Sequence, residues 1–414
     1  MRVLFAHGFE GSPDGSKPTY MREALRWDVT APKMSELGWS IASQTEVLIR
    51  HLDQDNFDLL VGSSMGGLAV ANALARDGHR KEEILFVGSD RGIEQDLVPS
   101  EGFELVTISG AGIPRRNPIA ALRAIYLLIR GIVEALRLLG RRKPKVVLAL
   151  GGFACFPCAF ASLVLKIPVI AHEQNAVPGL ANKIISRWAR HCAVSYKGTS
   201  LRNAVNTGNP VRQSIIEARQ IEPASIREKL KVPRENLFIV ATGGSLGAKT
   251  INLALRDAIP LLNKGVGLTV HHIIGRRDWE ELARSEEELR SYVDYRPIEF
   301  EYDMPSILRS ADLIISRAGG SITAEIAALD LPSVLVPLPN APGDHQTANA
   351  KSMEALGSAR ILADENCDGP HLSALLNELT ENQEELHRMR QRAEKNSQIS
   401  ASESLASLLK KEAL

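Results

Sequence analysis

The chain lacks net charge: 49 Lys and Arg balance 49 Asp and Glu over 414 residues. A nucleic-acid partner is disfavoured on that ground, since phosphate-backbone binding draws on a cationic excess. Cysteine is scarce, with Cys155, Cys158, Cys192 and Cys367 scattered along the chain. That excludes a disulfide framework and points to a reducing compartment. Cys155 and Cys158 form a C-x-x-C pair, but no second pair completes a zinc site, and Phe156 and Pro157 between them read as packing residues, so inert buried thiols are expected. Long uninterrupted apolar runs are missing too. The longest, 119–139, is broken by Arg123, Arg130, Glu134 and Arg137, and the opening Met1-Arg2-Val3-Leu4-Phe5-Ala6 is too short for a signal peptide and reads as a first strand. Neither internal repeats nor low-complexity segments are found.

What is there is an alternation of short apolar runs with helical stretches. Strands are expected at 57–61, 84–87, 105–108, 146–150 and 169–171, which makes one parallel sheet of βα units. The rhythm breaks near Gly208-Asn209-Pro210-Val211-Arg212, and the polar stretch 219–236 reads as an interdomain linker. A second series follows at 237–241, 269–274, 298–300, 313–316 and 333–336. The expected fold class is α/β with two doubly wound, Rossmann-like domains. The boundaries expected are 58–213 and 237–390, after an opening segment 1–57 and before a charged helical tail 391–414.

Two glycine turns carry the chemistry. Gly243-Gly244-Ser245-Leu246-Gly247-Ala248-Lys249 follows the 237–241 run, and Arg317-Ala318-Gly319-Gly320-Ser321-Ile322-Thr323-Ala324-Glu325 follows 313–316. A strand ending in small residues lets the backbone approach a phosphate, and the next helix presents unpaired N–H groups and a positive dipole end. The first loop lacks G-x-G-x-x-G spacing, and Ala248 stands before Lys249-Thr250 where a P-loop has glycine. Neither the dinucleotide nor the NTP motif is therefore matched, and tight strand-to-helix turns with no ligand are the alternative reading.

With these loops, the order His172-Glu173-Gln174-Asn175-Ala176-Val177-Pro178-Gly179-Leu180-Ala181-Asn182-Lys183, then Gly208-Asn209-Pro210-Val211-Arg212, then Asp344-His345-Gln346-Thr347-Ala348-Asn349-Ala350 resembles the MurG family of glycosyltransferases. The resemblance implies a GT-B architecture, two Rossmann-like domains facing a cleft, with lipid acceptor on the first and nucleotide sugar mainly on the second. It implies inverting transfer of N-acetylglucosamine from UDP-GlcNAc to the membrane-bound muramyl-pentapeptide lipid, with no metal and no cofactor. It also implies a peripheral place on the cytoplasmic face of the bacterial plasma membrane. By the family's motifs, Glu325 takes the ribose hydroxyls, Ser245 and the Gly320, Ser321, Ile322 and Thr323 backbone take the diphosphate, and Glu301 touches uracil through its main chain. Asn175, Arg212 and Gln346 hold the sugar and nucleotide, Arg212 being the cation for the leaving group because guanidinium pairs with phosphate in a fork.

The first 75 residues depart from that pattern. The family's G-G-x-G-G-H loop is replaced by Gly62-Ser63-Ser64-Met65-Gly66-Gly67, with Leu68 where the family has histidine, which leaves the catalytic base unassigned. His7-Gly8-Phe9 and Gly62-Ser63-Ser64-Met65-Gly66 resemble the oxyanion loop and nucleophile elbow of a small α/β-hydrolase of the esterase type. Strand 58–61 can still fill the slot of the missing first strand, with Met65, Gly66 and Gly67 offering N–H groups to the acceptor diphosphate. The preceding strand and a helical stretch at 41–52 then attach at a sheet edge or pack loosely. Two other functions stand beside the transferase: a UDP-GlcNAc binder without transfer, and a serine esterase using Ser64. The 115–145 region, amphipathic and flanked by Arg115, Arg116, Arg141, Arg142, Lys143 and Lys145, is either a core helix with snorkelling arginines or a helix lying on an anionic membrane surface.

Overall fold

The computed structural model describes residues 2–4, 28–30, 59–62, 65–89, 94–109, 118–152, 155–244, 247–282, 286–395 and 400–413. Strands β1 (Arg2–Leu4) and β2 (Asp28–Thr30) pair in parallel as a small sheet of their own. Residues 41–52, His7, Ser63 and Ser64 lie outside the described residues.

The first lobe is built on β3 (Leu59–Gly62), β4 (Ile84–Ser89), β5 (Glu104–Ile108), β6 (Val146–Ala149), β7 (Val169–Glu173), β8 (His191–Val194) and β9 (Ala204–Asn206). Their order is β5-β4-β3-β6-β7-β8-β9, all parallel, so β3 is an interior strand, third of seven. β6 and β7 are buried at every position; β6 reads as an unbroken apolar run and β7 as one as far as Ala171, before His172 and Glu173, because helices cover both faces. The β9 edge, Ala204-Val205-Asn206, is exposed throughout and carries no such signal.

The second lobe holds β10 (Leu237–Thr242), β11 (Leu268–Ile273), β12 (Asp294–Ile298), β13 (Leu313–Ser316), β14 (Ser333–Leu335) and β15 (Ala359–Ile361), in the order β12-β11-β10-β13-β14-β15. The strand expected at 298–300 begins earlier, at Asp294, and runs through Pro297. An edge strand tolerates this proline because one side of its ladder is empty, and the apolar pattern is correspondingly weak. In both sheets the winding reverses beside the first strand, at β3/β6 and at β10/β13. Such a switch point opens a crevice at the carboxyl ends of the strands.

The chain passes between the lobes twice. After β9, Val211 and Ile215 are already packed with Phe238 and Val240 in the second lobe's core. The 219–236 stretch read as a linker contains the Pro223–Lys229 helix and buries Ile226 and Val232. Its polar composition reflects an exposed outer face. At the other end, Leu386 and Met389 of the Gln383–Lys395 helix belong to the second lobe's core, whereas Leu405, Ala406 and Leu409 of the Ala401–Ala413 helix pack with Leu74 and Phe86 in the first. Arg76–Glu403 at 3.2 Å and His191–Glu412 at 3.1 Å fasten this last helix.

Candidate active site

The two glycine turns leave β10 and β13, the neighbours that flank the second lobe's switch point. Gly247 has φ +84°, a left-handed conformation, and a Cβ there would run into the Ile274 carbonyl oxygen. The helices that follow, Lys249–Ala258 and Gly320–Ala328, begin at Ala248 and Gly319 without a side-chain cap. Asn252 N–H already bonds the Ala248 carbonyl and Thr323 N–H the Gly319 carbonyl. The N–H groups of Lys249, Thr250 and Ile251, and of Gly320, Ser321 and Ile322, are therefore the unpaired ones of each first turn. Both helix starts line one cleft of about 970 Å³, which gives it two positive dipole ends and a preference for a multiply charged anion. Ser245, expected on the diphosphate, lies outside the described residues.

Arg212 lines the cleft at the head of the Gln213–Arg219 helix. Its Nε and an Nη donate to the two carboxylate oxygens of Glu325 at 2.8 and 2.9 Å, a planar fork. The residues expected to serve leaving group and ribose are thus paired with each other. Thr323 is buried, and its hydroxyl donates to the Gly319 carbonyl at 2.9 Å and meets the Tyr196 hydroxyl of the first lobe at 3.0 Å. Its side chain joins the lobes. Gln346 accepts through Oε1 from Ala318 N–H at 3.2 Å and Leu338 N–H at 3.0 Å, which fixes its amide at the cleft wall. Glu301, on the cleft wall, accepts from Asp303 N–H at 2.8 Å and from His271 Nε2 at 3.0 Å, so its carboxylate holds the turn it belongs to.

Asn175 reaches the cleft from the first lobe, and sequence reasoning passed over what holds it. Glu173, buried at 3% exposure, accepts four hydrogen bonds: from Asn175 N–H at 3.0 Å, Asn175 Nδ2 at 3.2 Å, Gly179 N–H at 2.9 Å and Asn182 Nδ2 at 2.8 Å. Asn349, fully buried, accepts from Ala176 N–H at 2.8 Å and donates to Asn175 Oδ1 at 3.1 Å and the Ala318 carbonyl at 3.0 Å, stitching the lobes together. Gly320 comes so close to the first lobe that a Cβ would stand 3.0 Å from Asn175 Oδ1 and from the Gln174 carbonyl. Glu173 and Asn349 both lay within motifs quoted from the sequence, Asn349 as an amide between Ala348 and Ala350 and Glu173 between His172 and Gln174.

Beneath the glycine loop a buried polar chain runs Tyr295, His272, Asn252, Asp278. Asn252 spends its amide hydrogens on the Ile274 carbonyl at 2.9 Å and Asp278 at 3.0 Å, so its Oδ1 must accept from His272 Nε2 at 3.0 Å. That makes His272 Nδ1 the acceptor for the Tyr295 hydroxyl at 2.8 Å. Burial holds this imidazole neutral, with its pKa pushed down to about 3 and His271 adding to the shift.

In the first lobe, Met65, Gly66 and Gly67 form the first turn of the Met65–Arg76 helix directly after β3. Leu68 is buried in that lobe's apolar cluster with Val70 and Leu74, so the position supplies packing and no titratable group. The four cysteines are free and buried. Burial pushes the Cys155 thiol up to about 12 and those of Cys192 and Cys367 up to about 11, too high for thiolate chemistry. Among the described residues no three His, Cys, Asp or Glu side chains converge as a metal site.

Residues 65–194 match the Glycosyltransferase family 28 N-terminal domain, and residues 238–406 the C-terminal domain of that family. A UDP-N-acetylglucosamine--N-acetylmuramyl-(pentapeptide) pyrophosphoryl-undecaprenol N-acetylglucosamine transferase of Carboxydothermus hydrogenoformans is 36% identical over 341 residues, 81% of this chain and 91% of that protein. The chain belongs to the MurG family. The transferase of the same name from Shewanella frigidimarina is 34% identical, with 81% of this chain and 91% of that protein covered. The crystal structure of Acinetobacter baumannii MurG superposes with a TM-score of 0.71 at 28% identity, covering 86% of this chain and 100% of that one. The GT-B fold expected from the motifs is the MurG fold of this chain. A Neisseria meningitidis UDP-GlcNAc 2-epimerase bound to UDP-GlcNAc, at TM-score 0.60 and 15% identity, shares that fold.

Proposed function

We infer that the chain is an inverting glycosyltransferase moving N-acetylglucosamine from UDP-GlcNAc to the undecaprenyl-diphosphate-linked muramyl-pentapeptide in peptidoglycan synthesis. The observation that carries this is the 36% identity spanning 91% of a transferase of that name. The cleft between two uncapped helix starts gives it a physical basis. The donor's diphosphate sits against the N–H groups of Gly320, Ser321 and Ile322, with Ser245 on the facing loop. Glu325 takes the ribose diol, Glu301 borders uracil through its main chain, and Asn175 and Gln346 hold the sugar. As the acceptor hydroxyl attacks the anomeric carbon opposite UDP, negative charge grows on the departing diphosphate. Preorganised N–H dipoles and the Arg212 guanidinium meet that charge without reorganisation, and the reading calls on no metal or other cofactor. Met65, Gly66 and Gly67 offer backbone N–H groups to the acceptor's diphosphate. The acceptor lobe is taken as 58–213 and the donor lobe as 237–390, with the final helix returned to the acceptor lobe.

The test is transfer of labelled GlcNAc from UDP-GlcNAc to a short-chain analogue of the muramyl-pentapeptide lipid, with donor binding measured on the same sample. Transfer is expected. Donor binding without transfer would make the chain a UDP-GlcNAc binder with a replaced acceptor loop, and no donor binding would remove the reading altogether.

The lipid acceptor requires a membrane surface, and the Pro118–Arg142 helix suits one. Ile125, Tyr126, Ile129 and Val133 fall on one helical face and are 43, 64, 58 and 40% exposed. Arg123, Arg137 and Arg141 are exposed on the same helix. At the end of the Cys155–Leu165 helix, Leu163 and Val164 are also exposed, beside a pocket lined by Lys166, Arg187, Arg190 and Arg202 and by no carboxylate. No helix among the described residues is long and apolar enough to cross a membrane. The placement proposed is peripheral, on the cytoplasmic leaflet, with apolar side chains in the headgroup boundary and arginines on anionic lipid. Replacing Tyr126 and Ile129 together by aspartate is expected to weaken binding to anionic vesicles by about tenfold or more while leaving turnover of a water-soluble acceptor unchanged. Equal vesicle binding by the variant would exclude this face.

A further inference from the structure

The second lobe has another cavity, of about 1000 Å³, that shares no lining residue with the donor cleft. It is bounded by the Pro223–Lys229 helix, the turn after it, the end of the Met304–Ser310 helix and one side chain of the Gln383–Lys395 helix. Much of its wall is the polar stretch that reads in sequence as a linker and that the transfer reaction does not use.

Cationic side chains outnumber carboxylates on the cavity's lining, with Arg227, Lys231, Arg234, Arg309 and Arg390 against Glu222, Glu228 and Asp312. Arg227 pairs with Asp312 at 2.6 Å and donates to the Ser310 carbonyl at 2.8 Å. Arg309 and Arg390 have no ion pair among the described residues. Their hydrogen bonds go to backbone carbonyls, Arg309 Nε to Ile221 at 3.0 Å and an Arg390 Nη to Ala311 at 2.9 Å. A carbonyl dipole satisfies one N–H but does not neutralise a cation, so of these three guanidiniums only Arg227 has an ion-pair partner. Burial pulls the Arg390 guanidinium below its ordinary value; Asp312 and Asp330 oppose this, and Arg309 and Arg227 add to it. Holding like charges together in a half-buried space is unfavourable unless an anion enters.

We propose that this cavity is a second anion site, built to take a soluble ligand carrying a phosphate or diphosphate group between Arg309 and Arg390. Guanidinium forks match phosphate oxygens in pairs, and a dianion supplies both Arg309 and Arg390 with the ion-pair partner they lack. The volume exceeds what inorganic phosphate fills, so a phosphorylated small molecule is the class indicated. The cavity belongs to the donor lobe, whereas the exposed apolar face proposed for the membrane is on the Pro118–Arg142 helix of the other lobe, which favours a soluble ligand over a lipid headgroup.

The experiment is calorimetric titration of inorganic pyrophosphate into the full chain saturated with UDP, so that the donor cleft is already filled. One saturable site is expected, weakened about tenfold or more in Arg309→Ala, partly restored in Arg309→Lys, and unchanged in Arg388→Ala, whose exposed guanidinium is held by Glu384 and Glu385. Arg309 is half-exposed, so its variants keep the fold, and an unshifted Tm checks this. No saturable binding, or binding insensitive to Arg309, overturns the proposal. The latter result would also follow if UDP failed to occupy the cleft, and a parallel UDP titration separates that failure of the donor reading from failure of the second site.

Discussion

Arg212→Met is expected to lower kcat by about a hundredfold, the scale on which removing one preorganised donor to a developing oxyanion slows acyl transfer. The fork to Glu325, at 2.8 and 2.9 Å, makes the pattern of the loss informative. If Arg212 serves the departing diphosphate, kcat falls while KM for UDP-GlcNAc moves little, because the interaction strengthens only as charge develops. If it merely holds Glu325 in place, Arg212→Met mimics Glu325→Gln: KM rises and kcat is spared. Arg212→Lys separates charge from geometry, since an ammonium keeps the cation and loses the planar pair. Steady-state rates at saturating acceptor decide among these, and an unchanged kcat in Arg212→Met removes the leaving-group role.

Glu173→Ala is expected to have the larger effect on the folded state. Four N–H donors converge on that buried carboxylate at 2.8 to 3.2 Å, and truncation leaves them facing a cavity. Each buried donor left unsatisfied costs about 1–3 kcal/mol, and partial rescue by water brings the expected total to about 3 kcal/mol, or a fall of about 6 °C or more in the Tm of a lobe this size. Because Asn175 donates both its backbone N–H and its Nδ2 to Glu173, KM for UDP-GlcNAc should rise with the loss of stability. Glu173→Gln keeps the shape but turns an NH2 toward other donors, and an intermediate value is expected. A Glu173→Ala variant that melts with the parent and binds donor normally would mean that the 174–179 turn holds itself.

The contrast between these residues shows what the sequence made legible. Central parallel strands such as 146–149 and 313–316 are unbroken apolar runs because burial on both faces demands it. Edge strands, such as Ala204-Val205-Asn206 and the Pro297-containing β12, carry no such demand and were missed or displaced. At the site, the glycine turns could be read because left-handed backbone and close approach select one residue type. Arg212, Glu325 and Asn175 could be named from their motifs, but their pairings could not: whether a carboxylate waits for a ribose or grips an arginine depends on how two lobes separated in sequence meet. The same holds for Asn349, whose partners Asn175 and Ala176 lie more than 170 residues away. Its type in the motif says only that an amide is wanted.

The two passages of the chain between lobes, one after β9 and one between residues 395 and 400, bear on how the protein moves. A single tether would leave one lobe free to swivel in any direction. Two pins define a line, so that swinging about that line disturbs neither connection while twisting away from it stretches one of them. Swinging about that line would have to break the bonds that Asn349, Tyr196 and Asn209 make across the gap, and two of the residues they reach, Asn175 and Gly320, line the donor cleft.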